Sequence, residues 1–191
     1  GTCAEYGASQ VPYAEQCPCE PLGDYGVLKH QATQCVVAQT KLDWTIVRPF
    51  RAIGPTDCAS VVWAACRAAV RQQVFAMTDG QQVREWNHVD AIAHGIVASG
   101  AHPEAVGQII NLGGGPRMSV RDIVHRVFAL ASADEKLVHL GVRPRRAHEV
   151  DALFGDHSKA QALWGEITQP PLDETLAAML RAQSMDVGGP S

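Results

Sequence analysis

The chain has no apolar run long enough to span a bilayer. It has no basic segment leading into an apolar core of the secretory type either. These absences point to a cytoplasmic protein with no membrane partner. There is no surplus of positive charge: 16 Lys and Arg stand against 20 Asp and Glu, a net charge of −4. That balance argues against nucleic acid or an anionic surface as a partner. Only Arg143-Pro144-Arg145-Arg146 forms a short basic cluster. Six cysteines are present but follow no regular spacing. Cys17-x-Cys19 lacks a second pair, so no zinc site or redox motif is read from it and no metal is expected. The thiols are expected to be free, several of them buried as small hydrophobes. Last, no strand runs into a glycine-rich turn and a helix in the way that seats a pyrophosphate. Gly113-Gly114-Gly115-Pro116 is the one glycine cluster outside the tail, and its spacing is that of a turn.

What is present suits a substantial core: 191 residues, 46% hydrophobic and 19% charged. Residues 1–3 read as a strand end, and the proline-rich stretch 7–24 as a loop. A helix is expected over 25–42 with Asp24 as its cap. Thr45-Ile46-Val47 reads as a strand halted at Pro49, which cannot donate to a ladder. Helices are expected over 59–73, 89–100, from Ser119 to about Ala133, over Ser158–Trp164 and over Leu172–Gln183. Ser119-Val120-Arg121-Asp122 has the capping-box pattern. Strands are expected over 82–87, 108–111 and 137–140. Strands alternating with helices define an α/β class. Residues 184–191 read as a flexible tail.

Tyr25-Gly26-Val27-Leu28-Lys29 places a phenol and an ammonium one turn apart on the same helix face. The lysine's charge favours the phenolate, which a proton acceptor requires. Spacing alone equally fits a half-buried tyrosine beside a solvated lysine. The surrounding residues separate the two. Thr2-Cys3-Ala4-Glu5-Tyr6-Gly7 resembles the "S/T-x-x-x-Y-G" strand end of extended short-chain dehydrogenases/reductases, the NAD-dependent sugar-nucleotide epimerase/dehydratase family. Arg48-Pro49-Phe50-Arg51-Ala52-Ile53-Gly54-Pro55 is similar to its "R-P-F-N-x-x-G-P". The stretch from Gly80 through Arg84 to His88-Val89-Asp90 is similar to "G-x-x-x-R-D-F-x-H-V-D", and Asn111-Leu112-Gly113-Gly114-Gly115 to "N-x-G-x-G". Arg143-Pro144 falls where the family has Arg-Pro. The ordered series covers roughly residues 1 to 180.

The resemblance implies the C-terminal portion of such an enzyme: a partial Rossmann-type parallel sheet plus a small C-terminal α/β substrate-binding lobe. Residues 1–75 would belong to the Rossmann-type part. Residues 76–183 would form mainly the lobe, with some segments returning to the Rossmann layer. The family's nucleotide-binding half would precede Thr2, so binding of NAD or NADP by this chain alone is not expected. Tyr25 is the implied acid/base, Lys29 its partner and a contact for the nicotinamide ribose, and Thr2 the hydroxyl that holds the substrate oxygen. Pro49 and Phe50 would face the nicotinamide. Arg84 and Arg143 would reach a diphosphate, and Arg51, where the family has asparagine, is a third substrate contact. Cys3 and Ala4 stand where dehydratases carry carboxylates. Their presence argues for an epimerase or 4-ketoreductase acting on a nucleoside-diphosphate sugar. Glu5, one residue off that pattern, is read as solvated or structural. The resemblance also implies a homodimer through the helix bearing the Tyr/Lys pair. Two alternatives stay open: a non-catalytic truncated homologue that binds ligand or a partner, and a reductase of a non-sugar ketone.

Overall fold

The structure, a computed structural model, describes residues 1–8 and 11–186. Its elements in chain order are α1 Gly23–Val37, β1 Thr45–Pro49, β2 Ala52–Ile53, α2 Val61–Val70, β3 Phe75–Ala76, β4 Val83–Glu85, β5 Asn87–His88, α3 Val89–Ala101, β6 Gln108–Leu112, β7 Arg117–Ser119, α4 Val120–Leu130, β8 Val138–His139, β9 Ala152–Leu153, α5 Ser158–Trp164 and α6 Leu172–Asp186. The alternation and the parallel pairing make the fold α/β and Rossmann-like. No helix among the described residues is long and apolar enough to cross a membrane. The expected tail falls partly in α6, which runs three residues past Gln183. The remaining tail residues lie outside the described ones.

Two compact units divide the chain. The first comprises Gly1–Ala52, Glu85–Pro116 and Ala152–Gln169. Its centre is the parallel pair β1–β6, in register from Thr45↔Gln108 to Pro49↔Leu112. Side chains alternate between the two faces of a strand, so each face of the pair has its own character. On one face Val47, Ile110 and Leu112 pack with Ile92 of α3, Ala105 and Ala160 of α5. On the other, Arg48 and Asn111 are neighbours in register; Arg48 lies over the Tyr6 ring, and the Tyr6 hydroxyl donates to Asn111 Oδ1 at 2.7 Å. Tyr6 stacks on Tyr13 at 5.1 Å, and these two join Cys3 and Phe50 in a second buried cluster. A sheet covered on both faces is the usual parallel arrangement. Here one cover is apolar and the other combines aromatic rings with buried polar groups.

The second unit comprises Ile53–Arg84, Arg117–Asp151 and the described part of Pro170–Ser191. Helices α2, α4 and α6 pack on one another. Ala65, Cys66 and Ala69 of α2 are fully buried, as are Ile123, Val124, Val127 and Phe128 of α4 and Leu176 of α6. Small residues on α2 let the helices approach closely. β3 and β8 pair in parallel, Phe75 opposite Val138.

Several boundaries differ from expectation. Residues 1–3 are not part of a strand: Thr2 is extended, and a single 3-10 turn follows over Cys3–Glu5. α1 starts two residues before Tyr25 and ends at Val37. Its N-cap is Leu22, which makes no side-chain cap bond. Asp24 instead sits inside the first turn, where a negative charge faces the unpaired amides. Ser60 caps α2 by accepting from Trp63 N–H at 3.0 Å, and Ser119 caps α4 by accepting from Asp122 N–H at 3.0 Å. The expected strand 82–87 is broken at Trp86, whose amide donates to Pro116 O.

Candidate active site

Thr2 is the N-cap of the 3-10 turn. Its Oγ1 accepts from Ala4 N–H at 3.4 Å, and its own amide donates to Glu5 Oε1 at 2.8 Å. The acceptor side of the hydroxyl therefore serves the turn, and the hydroxyl is also within hydrogen-bonding reach of the Cys3 thiol. Cys3, next in the turn, is buried, and burial pushes its thiol up to about 11. It is a neutral thiol near pH 7. Glu5 is fully buried, so of the two expectations, solvated or structural, the first is excluded.

α1 lies directly against this turn. Gly26 makes the approach possible, because a Cβ there would stand 2.7 Å from Ala4 O. Tyr25 and Lys29 flank that contact on the helix. Tyr25 is 64% exposed. Neither its hydroxyl nor the Lys29 ammonium has a hydrogen-bond partner among the described residues. Thr2, Tyr25 and Lys29 thus belong to one unit, on two segments in van der Waals contact.

β1 delivers the next candidates. Pro49 ends the strand, and Phe50 N–H donates to Leu112 O at 2.8 Å. The Phe50 ring is buried, edge-on to His157 at 5.4 Å. Any contact from Phe50 to a ligand would therefore come from its main chain. Arg51 offers its carbonyl to both Asn87 N–H (2.9 Å) and Asn87 Nδ2–H (3.1 Å). Its side chain is exposed. Next to this segment lies a buried pair that the sequence did not single out. His157 Nε2 is 2.8 Å from Glu85 Oε2, Gly155 N–H donates to the same oxygen, and Gly114 N–H donates to Glu85 Oε1 at 2.7 Å. Burial alone would raise the Glu85 carboxyl. The bonds from His157, Gly114 and Gly155 outweigh it and hold the group below the usual carboxylate range.

Arg84 and Arg143 belong to the second unit. Arg84 donates to Val83 O and Val150 O at 2.9 Å and pairs with Glu149 at 3.5 Å. Arg143 is exposed, held through its amide on Met77 O. Arg145 pairs with Asp79 and Asp151.

The sequence reading leaves Glu5 as solvated or structural and gives Arg48 no role of its own, yet both left a signal. Thr2-Cys3-Ala4-Glu5 has capping-box spacing, and an arginine inside the apolar strand β1 calls for a buried partner. His157 left none. Tyr25 and Lys29 have polar groups with no hydrogen-bond partner among the described residues, which leaves both available to a ligand. Gly113-Gly114-Gly115 does not fit the pyrophosphate end of a dinucleotide: Gly114 N–H is taken by Glu85 and Gly115 N–H by Asn87 Oδ1.

The family model described as "NAD dependent epimerase/dehydratase family" matches residues 1–113. An uncharacterized UDP-glucose epimerase of Bacillus subtilis is 28% identical over 85% of this chain and 52% of its own length. The UDP-glucose 4-epimerase of Neisseria meningitidis serogroup C is 28% identical over 94% of this chain and 60% of its own. Two solved structures share the fold. One is dTDP-glucose 4,6-dehydratase from Streptomyces venezuelae with NAD and TYD bound, with TM-score 0.90, 23% identity, and coverage of 98% of this chain and 59% of that one. The other is UDP-glucuronic acid 4-epimerase from Bacillus cereus with UDP-glucuronic acid and NAD, with TM-score 0.87, 22% identity, and coverage of 96% and 60%. The chain thus spans 52–60% of the length of these curated relatives.

Proposed function

The chain belongs to the NAD-dependent epimerase/dehydratase family, and from that premise we propose that it carries the catalytic set of an NAD(P)-dependent epimerase or 4-ketoreductase acting on a nucleoside-diphosphate sugar. The observation behind this reading is the Gly26–Ala4 approach, which seats the helix of Tyr25 and Lys29 against the turn of Thr2. Tyr25 exchanges a proton with the sugar hydroxyl, and the Lys29 charge supports the phenolate form. The Thr2 O–H donates to the same sugar oxygen. The bound nicotinamide supplies the hydride acceptor and donor. Lys29 would also hold the nicotinamide ribose, with the main chain of Pro49 and Phe50 beside the ring. Arg51, exposed in the same unit, would meet the nucleotide's phosphates, for which a guanidinium fork is suited.

Cys3 and Ala4 support epimerase or reductase chemistry over dehydration. An elimination needs a second acid and base near the sugar. Alanine has no such group, and a thiol held near 11 by burial stays protonated at neutral pH.

The test is Tyr25→Phe in protein that carries its nucleotide-binding half, assayed with UDP-glucose and NAD. Loss of a positioned acid/base lowers turnover by about 10²–10⁴-fold. Binding of UDP-glucose, followed by calorimetry, should stay as in the parent protein. Parent-like turnover in the variant would sink the mechanism.

A further inference from the structure

Glu5 makes contacts that a turn residue does not need. Its Oε1 accepts from Thr2 N–H at 2.8 Å. Its Oε2 accepts from Arg48 Nη2–H at 3.0 Å and lies 3.6 Å from His30 Nδ1. These partners come from three segments: the turn of Thr2, strand β1 just before Pro49-Phe50, and helix α1 one residue after Lys29. The carboxylate is fully buried, and Arg48 is 2% exposed. The guanidinium is further held over the Tyr6 ring at 4.6 Å and against Cys19 Sγ at 3.2 Å. His30 Nδ1 is buried with no hydrogen-bond partner of its own.

A buried carboxylate is costly, and a capping box works equally well with glutamine at this position. The turn alone therefore does not require the charge. Serving Thr2 and Arg48 together does, because a carboxylate has two acceptor oxygens and a side-chain amide has one. We propose that Glu5 is the positioning residue of the Thr2/Tyr25/Lys29 set. Its two oxygens clamp the Thr2 backbone to β1 and abut α1 at His30, which fixes the Thr2 hydroxyl relative to Tyr25 and Lys29. This inference rests on the catalytic reading of that set. Glu5 touches no reacting atom in it; it acts through Thr2.

The experiment uses Glu5→Gln and His30→Ala in protein carrying its nucleotide-binding half, with UDP-glucose and NAD as the probes. A glutamine can satisfy Thr2 or Arg48 but not both. A displacement of about 1 Å at a catalytic group costs on the order of 10²-fold in rate. Glu5→Gln should therefore lower kcat by about 10–100-fold while leaving KM for UDP-glucose unchanged. His30→Ala, which leaves the Arg48 contact intact, should lower kcat by a smaller factor with the same unchanged KM. Hydrogen exchange at the Thr2 amide should speed up in Glu5→Gln. Parent-like kcat in both variants, or a loss carried by KM, would overturn the proposal. Should Glu5→Gln fail to fold, His30→Ala decides alone on the same kcat criterion. Tyr25→Phe run in parallel separates the two ideas. If that variant is inactive and Glu5→Gln is not, only the positioning role falls. If Tyr25→Phe is active, the catalytic reading itself falls.

Discussion

In the first unit, the sheet face bearing Arg48 and Asn111 buries an ion pair, a phenol and an amide. In the second, α2, α4 and α6 pack on one another with Val62, Ala65, Ile123, Phe128 and Leu176 buried, and the ion pairs Arg126–Asp173 and Arg145–Asp79 are largely exposed. An apolar contact of this kind asks only for volume and shape. A buried charge asks for a partner at a stated distance and direction, and it penalises any shift that breaks the bond. The first unit accepts that cost where Thr2 and α1 must be held in place. The second has no such demand and is specified by packing. Departures from the simplest packing solution thus concentrate beside the candidate active site, where they are expected.

Two substitutions of comparable size put this contrast to the test. Arg48→Met strands the Glu5 carboxylate and should cost about 3–5 kcal/mol, the usual penalty for breaking a buried pair. Phe128→Ala opens a cavity in the helical core and should cost about 3–5 kcal/mol. The two losses differ in how they are repaired. Adding Glu5→Gln to Arg48→Met removes the stranded charge and should recover much of the stability in urea unfolding. If Glu5→Gln deepens the loss instead, the first unit is held by packing like the second, and the contrast is gone.

Acid tests the first unit next. The folded-state Glu85 carboxyl lies below its ordinary 4.5: burial opposes ionisation, and the bonds from His157, Gly114 and Gly155 prevail. A depressed carboxyl contributes stability above its unfolded value and loses it as pH falls through the folded value. The first unit should therefore weaken as pH drops below about 4.5, and Glu85→Gln should flatten that acid limb. Melting temperatures recorded between about pH 6 and pH 3 would show it. An unchanged acid limb in Glu85→Gln would place the sensitivity elsewhere.

How far the sequence discloses these features depends on the range of the signal. α5 is legible to the residue, and the caps of Ser60 and Ser119 act within one turn. The proposal of Thr2, Tyr25 and Lys29 rests on the order of motifs around them, since their spacing alone leaves two readings. β2, β3, β7 and β9 are two or three residues long. That is too short for a period-two pattern to stand out. The end of α1 is also hidden, since among its residues only Gly26 and Thr33 are buried and no apolar stripe marks its length. Glu5, read as solvated or structural, is the instructive case. Its capping spacing is local and visible, whereas its burial depends on Arg48, more than forty residues along the chain. Glu85 and His157 meet across 72 positions, and neither neighbourhood announces the other.

The smallest effect is expected at an ion pair that looks well made. Arg126 of α4 and Asp173 of α6 form two hydrogen bonds, one of them Nη2–H to Oδ2 at 2.8 Å. Asp173 also sits in the first turn of α6, where its charge is favourable. Both side chains are nearly half exposed, at 45% and 46%. Water solvates each one when the other is removed, so neither is stranded. A double-mutant cycle of Arg126→Ala and Asp173→Ala should therefore give a coupling of about 0.2–1 kcal/mol, shrinking as salt is added. The same cycle on Glu5 and Arg48 should give a larger coupling that salt barely changes, because screening ions do not reach a buried pair. Equal couplings with equal salt dependence would mean that burial does not distinguish the two units. In that case the argument for Glu5 as a clamp would lose its energetic basis.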